Sequence, residues 1–282
     1  MIASKCFFVI NLYLCELCRQ HIKGVPLAYN IIMYEVTIGA PNQDKYLLNY
    51  VANKMSGIVS DANGICCQNE SAERSYYTFA TADVYKRLIA ADVCGVVSDA
   101  IVLGYKNRFV RQLLKSARND FFSNVLINTI CVYDSPADKR YVRSLIEADK
   151  PIFLDGYYNF RIGNLKKKWR DVCRLVSDNA CILYDDRLIL EFLQYLFDTA
   201  ERNVCAISVS LQNDGFWLFD EHGWVLPKTV SLAKCTSAAE EVMLNLICSK
   251  PQNVTIYHNC SLNSDFKRMC DALFAAKYIA VK

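Results

Sequence analysis

Residues 204–226, Val204-Cys-Ala-Ile-Ser-Val-Ser-Leu-Gln-Asn-Asp-Gly-Phe-Trp-Leu-Phe-Asp-Glu-His-Gly-Trp-Val-Leu226, decide the fold class. Cys205, Ile207, Val209 and Leu211 alternate with Ala206, Ser208 and Ser210, which is the period of a strand buried on one face. Asn213-Asp214-Gly215 supplies a turn into Phe216 to Phe219, and His222-Gly223 turns the chain again into Trp224 to Leu226. The expectation is a small antiparallel meander. Downstream follow a helix near Ala238 to Cys248, a strand from Val254 to Tyr257 after Pro251, a helix from about Asp265 to Phe274 and a last strand, Tyr278 to Val281. Strand, helix and strand in so short a length call for a parallel pair with a right-handed crossover.

Working outward, helix dominates the middle of the chain. Ile162, Leu165, Trp169, Val172 and Val176 fall at steps of three and four, forming one apolar face that leaves Lys166, Lys167, Arg170 and Arg174 off it. In the next helix Ile189, Phe192, Leu193 and Leu196 face the core, opposite a polar line of Arg187, Glu191, Gln194 and Asp198. From Asp83 on, Tyr85, Leu88, Ile89, Val93, Val96, Ala100 and Leu103 predict another buried stripe, with a bend at Gly104. Further upstream lie a strand at Tyr34 to Ile38, a helix near Asp44 to Met55, and two short strands between Ser60 and Ala80, of which Ser75 to Phe79 is the clearer. Adjacent Cys66 and Cys67 in such a strand point to opposite faces and are poorly placed to hold one metal. The predicted class is α+β (mixed α/β): an N-terminal mixed region and helical middle over residues 33–203, then a C-terminal mixed sheet over 204–282 with an antiparallel meander and a terminal β-α-β unit.

Composition narrows the function classes. A chain of 282 residues, 53% hydrophobic and with 10 Gly and 6 Pro, can bury a large core. No stretch is read as approaching the roughly 20 apolar residues that cross a bilayer, so a soluble, cytoplasmic protein is expected. The 14 cysteines then read chiefly as reduced core residues. Residues 1–32 stand apart, with an apolar run from Cys6 to Leu17 and a Cys15-x-x-Cys18 pair followed by His21. Three readings are open: translation starting at Met33, which is favoured; a signal peptide without a small-x-small cleavage site; and half of a metal or redox site that no second pair completes.

No phosphate-binding glycine loop, nucleophile elbow, zincin or kinase motif is present, and no cofactor is implied. Cys260, His258 and His222 are the candidates for a nucleophile and base, against the plainer reading that 220–223 is a solvated turn. Charge is clustered. Lys106, Arg108, Arg111, Lys115 and Arg118 occur without an acid, and Arg161, Lys166, Lys167, Lys168, Arg170 and Arg174 occur with Asp171 alone, leaving the remainder of the chain net negative. Two basic segments, 104–118 and 161–174, offer a surface for nucleic acid or an acidic partner if they pack side by side; a solvated face is the bland alternative.

Three features in order are left: Asn159-Phe160-Arg161 in an aromatic-rich segment, a helix ending Leu193-x-Tyr195-Leu196-Phe197, and a strand followed by Asp214-Gly215 and Asp220. In these the chain resembles the YtxC-like family of sporulation proteins. The resemblance is specific only between Pro151 and Gly223, and departs from the family pattern at Lys166-Lys167-Lys168-Trp169, where a more acidic, aliphatic segment is expected. It implies a setting, the spore-forming cell, with no established chemistry, and it makes Asn159, Phe160 and Arg161 the signature. Together with Lys166, Arg170 and Arg111 these are the candidate contact residues for a partner, a protein first and nucleic acid second. Phe160 is expected to be buried and Arg161 to pair with a carboxylate such as Asp155.

Overall fold

The computed structural model describes residues 33–114, 120–178, 183–198, 204–212, 215–228, 235 and 237–281. The expectations for 1–32, for Lys115 and Arg118, and for Asn213 and Asp214 lie outside the described residues. The fold is α+β, with two four-stranded sheets held apart by helices.

The first sheet contains β1 (Met33–Pro41), β2 (Ile65–Glu70), β3 (Arg74–Ala82) and β4 (Ile152–Phe153) in the order β2-β3-β1-β4. Strands β2 and β3 are antiparallel, while β4 joins β1 in parallel at Ile38↔Ile152 and Gly39↔Phe153. Helix α1 (Lys45–Asp61) buries Leu47, Leu48, Val51, Met55 and Val59 on one side, the side that the sequence pattern marked. Cys66 is exposed on β2, and no metal-binding cluster of His, Cys, Asp or Glu occurs among the described residues.

Helix α2 (Lys86–Asp99), a π-helical segment Ala100–Tyr105 and α3 (Lys106–Leu113) form one long rod. Of the expected stripe, Ile89, Val93, Ala100 and Leu103 are buried, with Val97 and Ile101 beside them, whereas Val96 is half-buried, Leu88 is 65% exposed and Tyr85 sits in a 3-10 turn before the helix. Gly104 lies in the π segment, where an added Cβ would stand 2.2 Å from Leu47 Cδ2. The glycine thus serves close approach of the rod to α1. Contrary to the sequence expectation, the run Asp83–Leu113 is long and apolar enough to cross a bilayer by length and composition. In this structure Ile89, Val93, Val97 and Ala100 to Leu103 of that run are core, packed by α1 and by α5 below, while Val84 and Leu88 are exposed.

Helix α4 (Phe121–Val132) is buried on every side. Its N-terminus is capped by Asp120, whose carboxylate accepts from the Ser123 N–H at 2.9 Å. Helix α5 (Ser135–Leu145) follows, with Pro136 in its first turn. After β4 come a single turn, α6 (Leu154–Gly156), a π-turn (Tyr157–Arg161), α7 (Gly163–Asp178) and α8 (Asp186–Asp198). Helix α7 buries Leu165, Trp169, Cys173 and Val176, and α8 buries Ile189, Leu193 and Phe197, close to the predicted faces.

The second sheet has the order β6-β5-β7-β8, from β5 (Val204–Gln212), β6 (Gly215–Phe219), β7 (Pro251–His258) and β8 (Lys277–Ala280). The hairpin β5-β6 is antiparallel and β7-β8 is the expected parallel pair, joined through α10 (Ser264–Phe274). The third leg of the meander is reduced to a single bridge, Phe219↔Val225. Trp224 and Val225 are 73% and 63% exposed, so no buried face extends the ladder there. Helix α9 (Ala238–Ser249) packs against α4, and one contiguous hydrophobic cluster runs from the first sheet through α4 to the second. No disulfide engages Cys131, Cys173 or Cys270, which are buried as small apolar groups.

Candidate functional site

The stretch Lys150 to Arg161 builds the most exposed aromatic surface near the first sheet. Pro151 leads into β4, whose Ile152 enters the core while Phe153 faces out, 40% exposed. Phe153 crosses Gly39, where an added Cβ would meet the Phe153 and Tyr76 rings at 3.1 Å. The Arg74 guanidinium lies 5.0 Å from the Phe153 ring centre and donates to both oxygens of Asp155, at 3.2 and 2.5 Å. This two-point pair fixes α6 to β3. Tyr157 Oη accepts from the Glu147 N–H at 3.3 Å, tying the π-turn to the end of α5.

The inner side of the π-turn is held as firmly. Tyr158 stacks on Tyr105 with ring centres 4.5 Å apart, and Tyr105 Oη donates to Asp44 Oδ2 at 3.0 Å. Burial, and then the Asp44 charge, push the Tyr105 phenol up, which keeps it a donor. Arg108 pairs with Asp44 at 2.6 Å, and Lys166 covers the other side of Tyr158 at 3.9 Å. With Tyr157 and Tyr158 anchored, the wide turn projects Asn159, Phe160 and Arg161 to solvent.

Two sequence expectations are thereby corrected. Phe160 is 85% exposed rather than buried, while Ile162, two residues on and past the end of the π-turn, is the one that enters the core. Arg161 does not pair with Asp155, which Arg74 already occupies. Among the described residues Arg161 makes no ion pair. Glu147, Lys150, Pro151, Phe153, Gly156, Tyr157, Phe160 and Arg161 line an open cleft of about 260 Å³. Glu147 and Lys150, in one turn of its lining, pair with each other; this bond first, and more weakly the Arg161 charge, hold the Glu147 carboxyl below its usual range. Phe153, Tyr157, Lys150 and Glu147 went unnoticed in the sequence, although an aromatic at four of eight positions from Phe153 to Phe160 exceeds what one buried stripe needs.

The two basic segments do pack together, α3 against α7, but much of their charge is spent internally. Lys106, 2% exposed, donates to Asp134 Oδ1 at 3.1 Å and Asp138 Oδ2 at 3.0 Å. Lys168 joins the same two carboxylates, and Trp169 Nε1 donates to Asp138 Oδ2 at 2.8 Å. Burial opposes ionisation of Asp134, yet Lys106 and Lys168 override it and hold its carboxyl below the usual value. Arg111 points inward, donating to the side-chain oxygens of Asn107, Asn124 and Asn128 at 3.1, 3.2 and 3.4 Å. It braces α4 instead of facing a partner. Lys166 and Arg170 remain on the outer side of α7, the first half-covered and the second exposed.

The suggested Cys-His site is not assembled. His258 Nδ1 lies 3.0 Å from the Cys260 carbonyl oxygen, not its thiol, and among the described residues no hydrogen bond or ion pair joins His222 to either. His222 is 72% exposed in a turn whose geometry comes from Asp220, which accepts from the N–H groups of His222 and Trp224. Elsewhere burial pushes the Cys131 and Cys248 thiols up to about 12, well removed from thiolate chemistry. No known family model matches the chain, nor does any curated protein or solved structure.

Proposed function

We propose that this chain is a non-enzymatic binding or scaffolding factor, acting in the cytoplasm of a spore-forming cell as the YtxC-like resemblance implies, whose partner docks on the Phe153–Arg161 cleft. One observation carries the reading: Phe160, 85% exposed, stands beside Arg161, which makes no ion pair among the described residues, on a turn clamped from behind at Tyr157 and Tyr158. A large apolar side chain held in water on a rigid support is a binding anchor in waiting. Nucleic acid on the basic helices is the weaker reading, since Lys106, Arg108, Arg111 and Lys168 already have internal partners. A hydrolase is weaker still, for want of a base at the Cys260 thiol.

The test is affinity capture of the tagged full chain from sporulating cells, with and without nuclease, beside a Phe160→Ser variant. Proteins retained after nuclease and lost from the variant would support the reading. Retention of all of them by the variant would sink it, and loss of everything on nuclease treatment would move the assignment to nucleic acid.

A further inference from the structure

We infer that the cleft takes an acidic peptide segment with one bulky apolar side chain, its carboxylate on Arg161 and the apolar group between Phe153 and Phe160. The inference rests on the reading of this cleft as the docking surface, and it names the chemistry of the occupant. Its volume of about 260 Å³ falls just under the range of ordinary small-molecule sites and suits a single anchoring side chain. Phe153, Phe160 and Tyr157 provide apolar walls, with Phe153 held in place by Arg74.

Charge selects the sign of the partner. Within the cleft Lys150 and Glu147 satisfy each other, so Arg161 carries the unbalanced charge. Asp155 does not cancel it, being bonded to Arg74. Asp149 is exposed and acts on Lys150 from outside the lining, while beyond Arg161 the first turns of α7 add Lys166, Lys167 and Arg170. The guanidinium presents a planar fork of donors that a carboxylate meets at two points, and a lysine at this place would lack that geometry. The aromatic walls make a purely ionic ligand insufficient: an acidic segment without an apolar side chain would leave Phe160 in water.

The experiment is a fluorescence-anisotropy titration of the full chain with a fluorescein-labelled Asp-Glu-Phe-Asp-Glu peptide. Controls replace the central Phe by Ser, or all four acids by Lys, and a single-stranded oligonucleotide serves as competitor. The acidic aromatic peptide should bind best, weaken with salt, and lose about tenfold or more in Arg161→Glu and in Phe160→Ser. Thermal melts of both variants should match the parent, since neither side chain is buried. The inference falls if the acidic peptide does not bind, if Arg161→Glu binds it undiminished, or if the basic peptide or oligonucleotide binds more tightly at the cleft. Should captured proteins still depend on Phe160 while the acidic peptide fails, the docking reading survives and only the acidic chemistry is lost. If neither depends on the cleft, both fall.

Discussion

Helix α3 and the segment from the π-turn into α7 are similarly basic, yet apart from Lys168, which joins the cluster of Lys106, they put their charge to opposite uses. On α3, Lys106 is sealed between Asp134 and Asp138 and Arg111 is turned onto three asparagines. Around the π-turn, Arg161 is left to solvent beside Phe160, with Lys166 and Arg170 following on α7. The difference is one of available partners. Asp134 and Asp138 lie 28 and 32 residues after Lys106 and are brought to it only by folding, whereas the one carboxylate close to Arg161 in sequence is taken by Arg74. Charge counts along a chain cannot tell a structural cation from a recognition cation; the competition for acids can.

The sharpest way to break this contrast is Lys106→Ala. It leaves Asp138 and Asp134 to Lys168 alone, a cation 43% exposed, and should cost about 3 kcal/mol, read as a large fall in the urea midpoint with an unchanged slope. A loss under about 1 kcal/mol would mean that water enters and the cluster is not an inner structural charge. No comparable loss is expected from any single change at Arg161.

The next effect is a pH dependence with a definite sign. Asp134 has a folded pKa below its ordinary 3.8, so its contribution is complete above that value and is lost as pH falls through the lower folded one. Lys168 works at the other end: burial opposes its charge, but Asp134 and Asp138 raise its pKa above the ordinary 10.5, so its contribution holds below that and fades as pH rises through the folded value. Urea midpoints should therefore drop below about pH 4, and Asp134→Asn should flatten that acid limb. An unchanged limb would place acid sensitivity in other carboxylates.

A smaller change should follow Arg74→Ala. The pair with Asp155 is two-pointed but partly exposed, so about 1 kcal/mol is expected. Its more telling result would be functional. Arg74 also lies on Phe153, so its removal should loosen one wall of the cleft and weaken capture of partners more than it weakens the fold. If stability and capture fall together in proportion, Arg74 is only a structural brace.

How far the sequence foretold these regions follows from what each residue faces. The α7 stripe and the alternation in β5 were legible, because each has one wet and one dry face and so prints its period in the sequence. Helix α4 was not, since all twelve residues from Phe121 to Val132 are buried and no polar side marks a helical period. Its Asn124 and Asn128 look like surface residues until Arg111 is seen bonded to both. On α2 the expected stripe holds at Ile89 and Val93 and fails at Leu88 and at Tyr85, which lies before the helix begins. At the candidate site the signature residues were singled out, but the burial of Phe160 and the partner of Arg161 were both misjudged. A π-turn widens the local geometry by one residue and carries no composition rule of its own, so only the anchoring of Tyr157 and Tyr158 shows which aromatics are left outside.

The smallest expected effect on the fold is the one that bears most on function. Phe160→Ser removes a ring that is 85% exposed and should change stability by no more than about 0.5 kcal/mol. Replacing a core phenylalanine such as Phe79, 0% exposed, by alanine should cost about 3–5 kcal/mol. The same residue type thus separates the two uses of the molecule. If Phe160→Ser unfolds the chain or lowers its melting point by many degrees, the ring packs in solution and the cleft is closed. If the melt is unchanged and partner capture disappears, the exposed ring is there for recognition, because a side chain that contributes nothing to the fold but is required for capture acts at the interface itself.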